Sequence, residues 1–400
     1  MTTSTNRLWN FGFITLNLLI LFAFSNLAVF FSFYSYLKTL PVSSEWYGIL
    51  IGLFAVSAIV LRPFISVGLN HKNAIWGVAA GVLFTAISLL FYPLAQTFIS
   101  LIILRIIHGA AYVILVSSAI VLLMYFLPAN KSGQGFGIVS VATLLPYSIV
   151  PYLVEKTFAG IPLDTIYSYT ALLMIPPALL LIPLAKQLRK QKTDDTRFLN
   201  NKITGKSLLY NLKQPKIVRL LIVNTLVFTV FSIVLYFLKS FCNAGCVGRP
   251  ELFFTVSTFT MIFVRIFFGK MFDKYNKALL IIFSLLFFAV GVVLLLVATS
   301  ASLFYVAAAV YGIGIGSASP LLNGLVFTIS EPEYRGLNTN LMLEMVDGGF
   351  FIGPSFAGLA VSAGLTVSSV FYICVGVVAV AAIIVFPLIK TESYGQQYKF

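Results

Sequence analysis

The sequence predicts an all-α membrane protein: twelve transmembrane helices forming two pseudo-symmetric six-helix bundles. Three observations carry this. Apolar runs of bilayer length recur twelve times, basic residues collect on one side of the implied membrane, and landmarks of the first half return 203 positions later. Of 400 residues, 60% are apolar and only 10% charged, with a mean hydropathy of +1.00. A soluble domain averages about 25% charged residues, so a soluble reading is excluded. The formal net charge of +14 does not indicate nucleic acid either. Its Lys and Arg lie between long apolar runs instead of gathering on one polar domain.

A bilayer core takes about 20 helical residues, and backbone groups in lipid must be satisfied within the helix. Apolar runs of that length fall at roughly 10–37, 45–68, 74–94, 98–126, 134–156 and 164–186 in the first half. In the second half they fall at 217–241, 251–271, 278–299, 302–330, 337–363 and 365–389. Turn and charge signals separate them, among them Leu40-Pro41, Pro128 to Gly133, Asp273 to Lys277 and Glu331 to Gly336. Spans 11 and 12 are separated only by Ala363-Gly364.

With both termini in the cytoplasm, inner loops, tails and adjoining helix ends hold 20 of the 26 Lys and Arg. Lys38, Lys156, Lys239 and Arg249 lie outside, and Arg105 and Arg265 fall within spans. The positive-inside rule therefore favours cytoplasmic termini in a cytoplasmic (inner or plasma) membrane. Residues 10–37 are too long for the apolar core of a secretion signal, and are read as a retained first span. Lys186 to Lys216 carries nine basic residues against Asp194 and Asp195. The implied organisation is a six-helix bundle over 1–187, a basic cytoplasmic linker over 188–215, and a second bundle with a short tail over 216–400. Such a linker is expected to lie solvated against anionic headgroups.

The repeat is specific. Arg62, Ser66, Asn70 and Asn73 at the end of span 2 match Arg265, Gly269, Asp273 and Asn276 at the end of span 8. Gly109 matches Gly312, Gly133 matches Gly336, and Val150-Pro151 matches Gly353-Pro354, all at the same offset. The segment Gly269-Lys-Met-Phe-Asp273-Lys274 resembles the loop signature of the major facilitator superfamily. Arg105-Ile-Ile-His108-Gly109 resembles its fourth-helix motif, and Gly349-Phe-Phe-Ile-Gly353-Pro354 with Gly358 resembles its antiporter glycine–proline motif. The resemblance implies two bundles rocking about a central site, with proton-antiport efflux the commonest activity of this motif set. The first half departs from it: Ser66 and Asn70 replace Gly and Asp, and span 5 keeps Pro146 and Pro151 without the glycines.

Arg62, Asn70, Arg265, Gly269, Asp273 and Arg335 form the expected gating set. Asp273 near Arg265 suits either a latch on a neighbouring helix N-terminus or a static ion pair. Gly109, Pro146, Pro151, Gly349, Gly353, Pro354 and Gly358 suit close packing or hinging, since glycines four apart let helices approach and Pro removes one backbone bond.

Ionisable groups within spans are the strongest site candidates, because a charge at mid-bilayer costs at least about 2.5–3.5 kcal/mol. Of twelve acidic residues only Glu344 and Asp347 fall well inside a span. Three positions apart, they share a helix face with Asn340 one turn earlier. Mutual repulsion and removal from water suit one of the pair to take up and release a proton; hydrogen bonding to neighbouring helices is the plainer alternative. Arg105 would serve as a fixed counter-ion or anion anchor, and His108, a turn later, as a titrating neighbour or a structural hydrogen-bonding group. Tyr112 comes a further turn along. Asn17, Asn26, Asn224 and Asn323 lie on helices that the resemblance places around the central cavity, as substrate contacts or interhelical hydrogen bonds.

Cys242 and Cys246 flank the outer end of span 7, where a disulfide is chemically permitted. No metal site, phosphate-binding loop or cofactor is expected; the energy source would be a proton gradient. The expected partners are a small-molecule substrate, protons and membrane lipids, with no nucleic acid and a monomer sufficient for function. The leading expectation is a proton-coupled exporter of a small organic solute, and not an enzyme. A proton-linked or facilitative uptake permease is the alternative from the same class, and a non-transporting sensor or lipid-handling protein the alternative from another.

Overall fold

A computed structural model describes residues 8–69, 73–127, 132–190, 213–245, 247–331 and 334–389. For 66–68, 132–134, 136, 189, 190, 270, 273, 274 and 336 it describes the backbone only. Asn70, most of the basic linker and Cys246 lie outside these residues. Among them, twelve helices are long and apolar enough to cross a membrane. Spans 1–6 are Phe11–Leu37, Ser44–Ile65, Ala74–Leu94, Phe98–Phe126, Gly137–Lys156 and Leu163–Leu188. Spans 7–12 are Pro215–Asn243, Pro250–Gly269, Lys277–Leu296, Ala301–Ile329, Leu337–Ser362 and Val367–Val385. Large apolar side chains left exposed, such as Phe64, Phe263, Phe267 and Ile383, suit lipid rather than water.

Helix ends are set by side chains that satisfy the first free amides. The Asn10 side chain accepts from Phe13 N ahead of span 1. Thr97 and Ser100 form a reciprocal capping box ahead of span 4. Asn276, Ser300 and Thr366 cap spans 9, 10 and 12. The two-residue break between spans 11 and 12 works because Gly364 takes φ +100°, a left-handed conformation that costs a glycine little. There Gly364 N donates to Val361 O and Leu365 N to Ala360 O, closing span 11 before Thr366 opens the next helix.

Contacts divide the chain into two compact units: Met1–Val42 with Leu53–Asn200, and Ser43–Gly52 with Asn201–Phe400. The first half's own spans make up the first unit except for the start of span 2, Ser43–Gly52, which groups with the second. The reason is local. A methyl group on Gly52 would lie 2.8 Å from the Phe351 carbonyl oxygen, and one on Gly358 2.5 Å from Gly48 Cα. Only hydrogen at these glycines lets the backbones come so close.

Within each unit the helix pairing repeats. Spans 3–4, 1–5, 1–6 and 3–6 pack in the first, and spans 9–10, 7–11, 7–12 and 9–12 in the second. Pro146 and Pro151 lie inside a continuous helix, Ser132–Lys156, and Pro354 inside Arg335–Ser362. Local tightening occurs instead in spans 1 and 6, each interrupted by a 3₁₀ stretch, Val29–Ser32 and Thr170–Met174. In span 6 it directly precedes Ile175-Pro176-Pro177, where two amides are missing from the hydrogen-bond ladder.

Candidate functional site

The first unit buries a cation among aromatic rings. Arg105 on span 4 is 1% exposed. Its guanidinium carbon lies 5.2, 4.7 and 4.9 Å from the ring centres of Phe30, Phe33 and Phe54. Its Nη1 donates to the Tyr92 hydroxyl at 3.4 Å. A cation–π contact at a desolvated position is worth about 2 kcal/mol. The aromatic faces therefore supply energy of the order that placing Arg in the membrane costs, about 2.5–3.5 kcal/mol on the lenient scale.

His108 shares this core. Its Nδ1 lies 3.0 Å from the Tyr92 hydroxyl, and its Nε2 lies 3.1 Å from Asn26 Nδ2. With Tyr92 accepting from Arg105, its own hydrogen is free to go to Nδ1, which leaves the ring proton on Nε2. Nε2–H then needs an acceptor, and rotating the Asn26 amide by half a turn presents Oδ1, which has no partner in the other orientation. Each link of the chain Arg105–Tyr92–His108–Asn26 then matches a donor to an acceptor with a neutral imidazole. Tyr167, on span 6, stacks on Phe30 at 4.4 Å and completes the cluster.

The second unit carries the carboxylates. Glu344 and Asp347 are both half-buried on span 11, and Asn340 is exposed. Span 11 is held to span 7 along its length. Asn224 Nδ2 donates to Met342 O at 2.8 Å, and Ser232 Oγ lies 3.0 Å from Gly349 O. A methyl group on Gly349 would lie 2.7 Å from Phe228 carbonyl carbon, and one on Gly353 2.5 Å from Thr229 O. These glycines close the helix pair beside the two acids. Phe228, Phe231 and Phe350 gather at the same junction, with ring centres 5.9–6.4 Å apart.

A sequence profile of the Major Facilitator Superfamily matches residues 13–245 and 250–398. The chain belongs to the major facilitator superfamily. Members of this superfamily are secondary transporters that bind small-molecule substrates, and this one is a multi-pass membrane protein, not an enzyme. Among solved structures it is similar to the nucleoside transporter NupG, with a TM-score of 0.76 at 15% identity over 95% of this chain and 99% of that one. It is also similar to a bacterial homologue of the human lysosomal transporter Spinster, inward-facing and unoccupied, with a TM-score of 0.69 at 14% identity over 96% and 97%. At such identity the likeness is one of fold. The Bacillus subtilis protein YqgE is 30% identical over 135 residues, 32% of this chain and 31% of that protein. The Staphylococcus aureus quinolone resistance protein NorA is 28% identical over 90 residues, 22% of this chain and 23% of NorA. The chain thus matches less than a third of the length of either relative.

In this major facilitator the expected site residues fall into separate groups. Arg105, His108 and Asn26 come together, and Tyr112 is buried nearby, its ring 5.2 Å from that of Phe54. Asn26 and Asn224 take the interhelical alternative, each fully buried with a partner on another helix. Asn17 and Asn323 donate to Phe13 O and Ser319 O of their own helices. Of the gating set, Arg265 Nε donates to Gly316 O at 3.3 Å, tying span 8 to span 10. Arg335 lies over the Phe327 ring at 4.7 Å, and Arg62 is half-buried. Gly269 faces open space, so unlike Gly349 it serves no close approach. The Asp273 side chain and Asn70 lie outside the description. Cys242 is disulfide-bonded and Cys374 is free.

Sequence reasoning missed Tyr92, Phe30, Phe33, Phe54 and Tyr167. Each is one aromatic among 38 Phe and 19 Tyr. The only usable signal was Tyr92 at a break that also holds Pro93, where a hydroxyl reaches back to the next helix.

Proposed function

We propose that this protein exports a small organic solute in exchange for protons, with both termini in the cytoplasm of a cytoplasmic membrane. The observation that carries the reading is the Glu344–Asp347 pair: two half-buried acids one turn apart on the helix that also bears the glycine–proline motif. A half-buried carboxyl alternates between a protonated form suited to the dry side of the helix and an ionised form suited to water. That alternation couples proton movement to a change in exposure. Arg105, held by aromatic rings, is the fixed positive charge of the first unit, and His108 is its titratable neighbour. Gly349, Gly353 and Pro354 would let span 11 shift against span 7. The short similarity to NorA, named for quinolone resistance, supports export of an amphipathic compound. A monomer is sufficient for this scheme.

The test is transport in proteoliposomes with a panel of amphipathic candidate solutes under an imposed pH gradient. Accumulation in the lumen driven by outward proton flow, solute and protons moving in opposite directions, supports exchange and hence export. Accumulation driven by inward proton flow, with both moving together, assigns uptake instead, and transport indifferent to the gradient removes coupling.

A further inference from the structure

An open cleft of about 440 Å³ lies in the first unit, where the ends of spans 1, 3 and 5 meet the loops that follow them. It is far from the acids of span 11 in sequence and belongs to a different unit. Its polar lining comes from three places: Tyr36 in the last turn of span 1 with Thr39 just beyond it, Gln96 after span 3, and Asp164 in the first turn of span 6. Leu40 and Leu163 supply apolar wall. Under the orientation proposed above this is the outer face.

The polar groups are unevenly matched. Tyr36 is 4% exposed, yet its hydroxyl has no hydrogen-bond partner. Asp164, which lines the cleft, accepts from Thr165 N at 2.6 Å and from Thr165 Oγ1 at 3.3 Å, both at Oδ1 and neither at Oδ2. The ammonium of Lys38, just past the end of span 1, lies over the Tyr34 ring at 4.6 Å. Thr39 Oγ1 donates to Tyr36 O, and Gln96 Nε2 to Pro93 O, so both present acceptor oxygens. A lining of one carboxylate, two neutral acceptors and one hydroxyl able to accept matches a group that only donates and is positively charged. A primary ammonium, with three N–H donors, is such a group. The volume is at the small end of the range for organic ligands.

We propose that this cleft binds a small organic cation, a primary ammonium on an apolar body, through the Asp164 carboxylate and the Tyr36 hydroxyl. Binding there bridges the ends of spans 1, 3 and 6 next to the aromatic cluster around Arg105, whose Phe33 and Tyr167 rings lie 5.8 and 5.5 Å from that of Tyr36. The site does not depend on the direction of transport or on proton coupling.

The test uses the full chain in lipid nanodiscs, with benzylammonium as probe and benzyl alcohol as its neutral counterpart. Isothermal titration is expected to show saturable binding of benzylammonium and binding of benzyl alcohol weaker by about tenfold or more, the scale of a charge-assisted hydrogen bond. Asp164→Asn should weaken benzylammonium by a similar factor, and Tyr36→Phe by about threefold or more. A local readout covers the case in which Asp164→Asn does not fold. In Gln96→Cys, an exposed position, benzylammonium should slow labelling by an impermeant maleimide, and benzyl alcohol should not. Absence of saturable binding, binding unaltered in Tyr36→Phe and any folded Asp164→Asn, or an unchanged labelling rate would each overturn the proposal.

Discussion

Gly109 and Gly312 stand in the same relation to their neighbours. A methyl group on Gly109 would lie 2.5 Å from the Phe54 carbonyl oxygen, and one on Gly312 would lie 2.5 Å from the Ser257 carbonyl oxygen. The next groups met are Ser57 and Thr260. Phe54 and Ser257, like Ser57 and Thr260, are separated by the same 203 positions as the glycines. The duplication therefore survives in the packing of span 4 on span 2 and of span 10 on span 8, although the side chains involved have diverged. Gly109→Val and Gly312→Val should each destabilise the protein by about 1–3 kcal/mol, the usual cost of overpacking. Gly376→Ala, which meets nothing within 4 Å, should be close to neutral. Thermal unfolding in detergent measures all three, and a neutral Gly109→Val or Gly312→Val would contradict the packing.

Removing the Tyr92 hydroxyl breaks the buried chain in the middle. Tyr92→Phe keeps the ring against Phe30, 5.0 Å away, but removes one hydrogen bond of Arg105 and the hydroxyl that faces His108 Nδ1. The expected loss is about 1–3 kcal/mol, the desolvation penalty of an unsatisfied buried polar group. If the unfolding midpoint of Tyr92→Phe equals that of wild type, the hydroxyl does not hold the two together.

Glycines of the motif regions should differ in their tolerance of a side chain. Gly349→Ala places a methyl group against the Phe228–Thr229 backbone and should lower stability by about 1–3 kcal/mol. Gly269→Ala, with nothing within 4 Å, should cost no stability and should gain a few tenths of a kcal/mol to about 1 from helix propensity. Equal melting shifts for the pair would mean that spans 7 and 11 are not held by close approach.

The acids of span 11 should matter for coupling and not for folding. Glu344→Gln and Asp347→Asn conserve shape while removing the titrating proton. Each is expected to abolish proton-driven accumulation in proteoliposomes, with expression and melting within about 0.5 kcal/mol of wild type. A pH dependence of transport that persists unchanged in both variants would remove them from the coupling step.

How much of this was legible beforehand varied with the distance over which each feature acts. Twelve spans could be read because bilayer thickness imposes a length, and because turn and charge signals such as Leu40-Pro41 and Glu331 to Gly336 separate them. Glu344 and Asp347 stood out because a charge in lipid is expensive wherever it lies. The surroundings of Arg105 were illegible. Tyr92 is 13 positions away, and Asn26 is 82 positions from His108. Nothing local distinguishes Phe30 or Phe54 from phenylalanines that face lipid. The same holds for the cleft, whose Tyr36 and Asp164 come from helix ends far apart in the chain.

By itself, then, the sequence determined the solvent, the number of crossings, the duplication and the family, since these rest on composition and on spacing along the chain. Only the tertiary structure decided which polar side chains meet. It committed Asn26 and Asn224 to other helices, enclosed Arg105 in aromatic rings, turned Gly48 toward Gly358, and left the Tyr36 hydroxyl beside an open cleft. The physical reason is that lipid supplies no competing hydrogen bonds. A buried polar group can find a partner only within the protein, and that partner is fixed by how helices pack, which their separate sequences do not record.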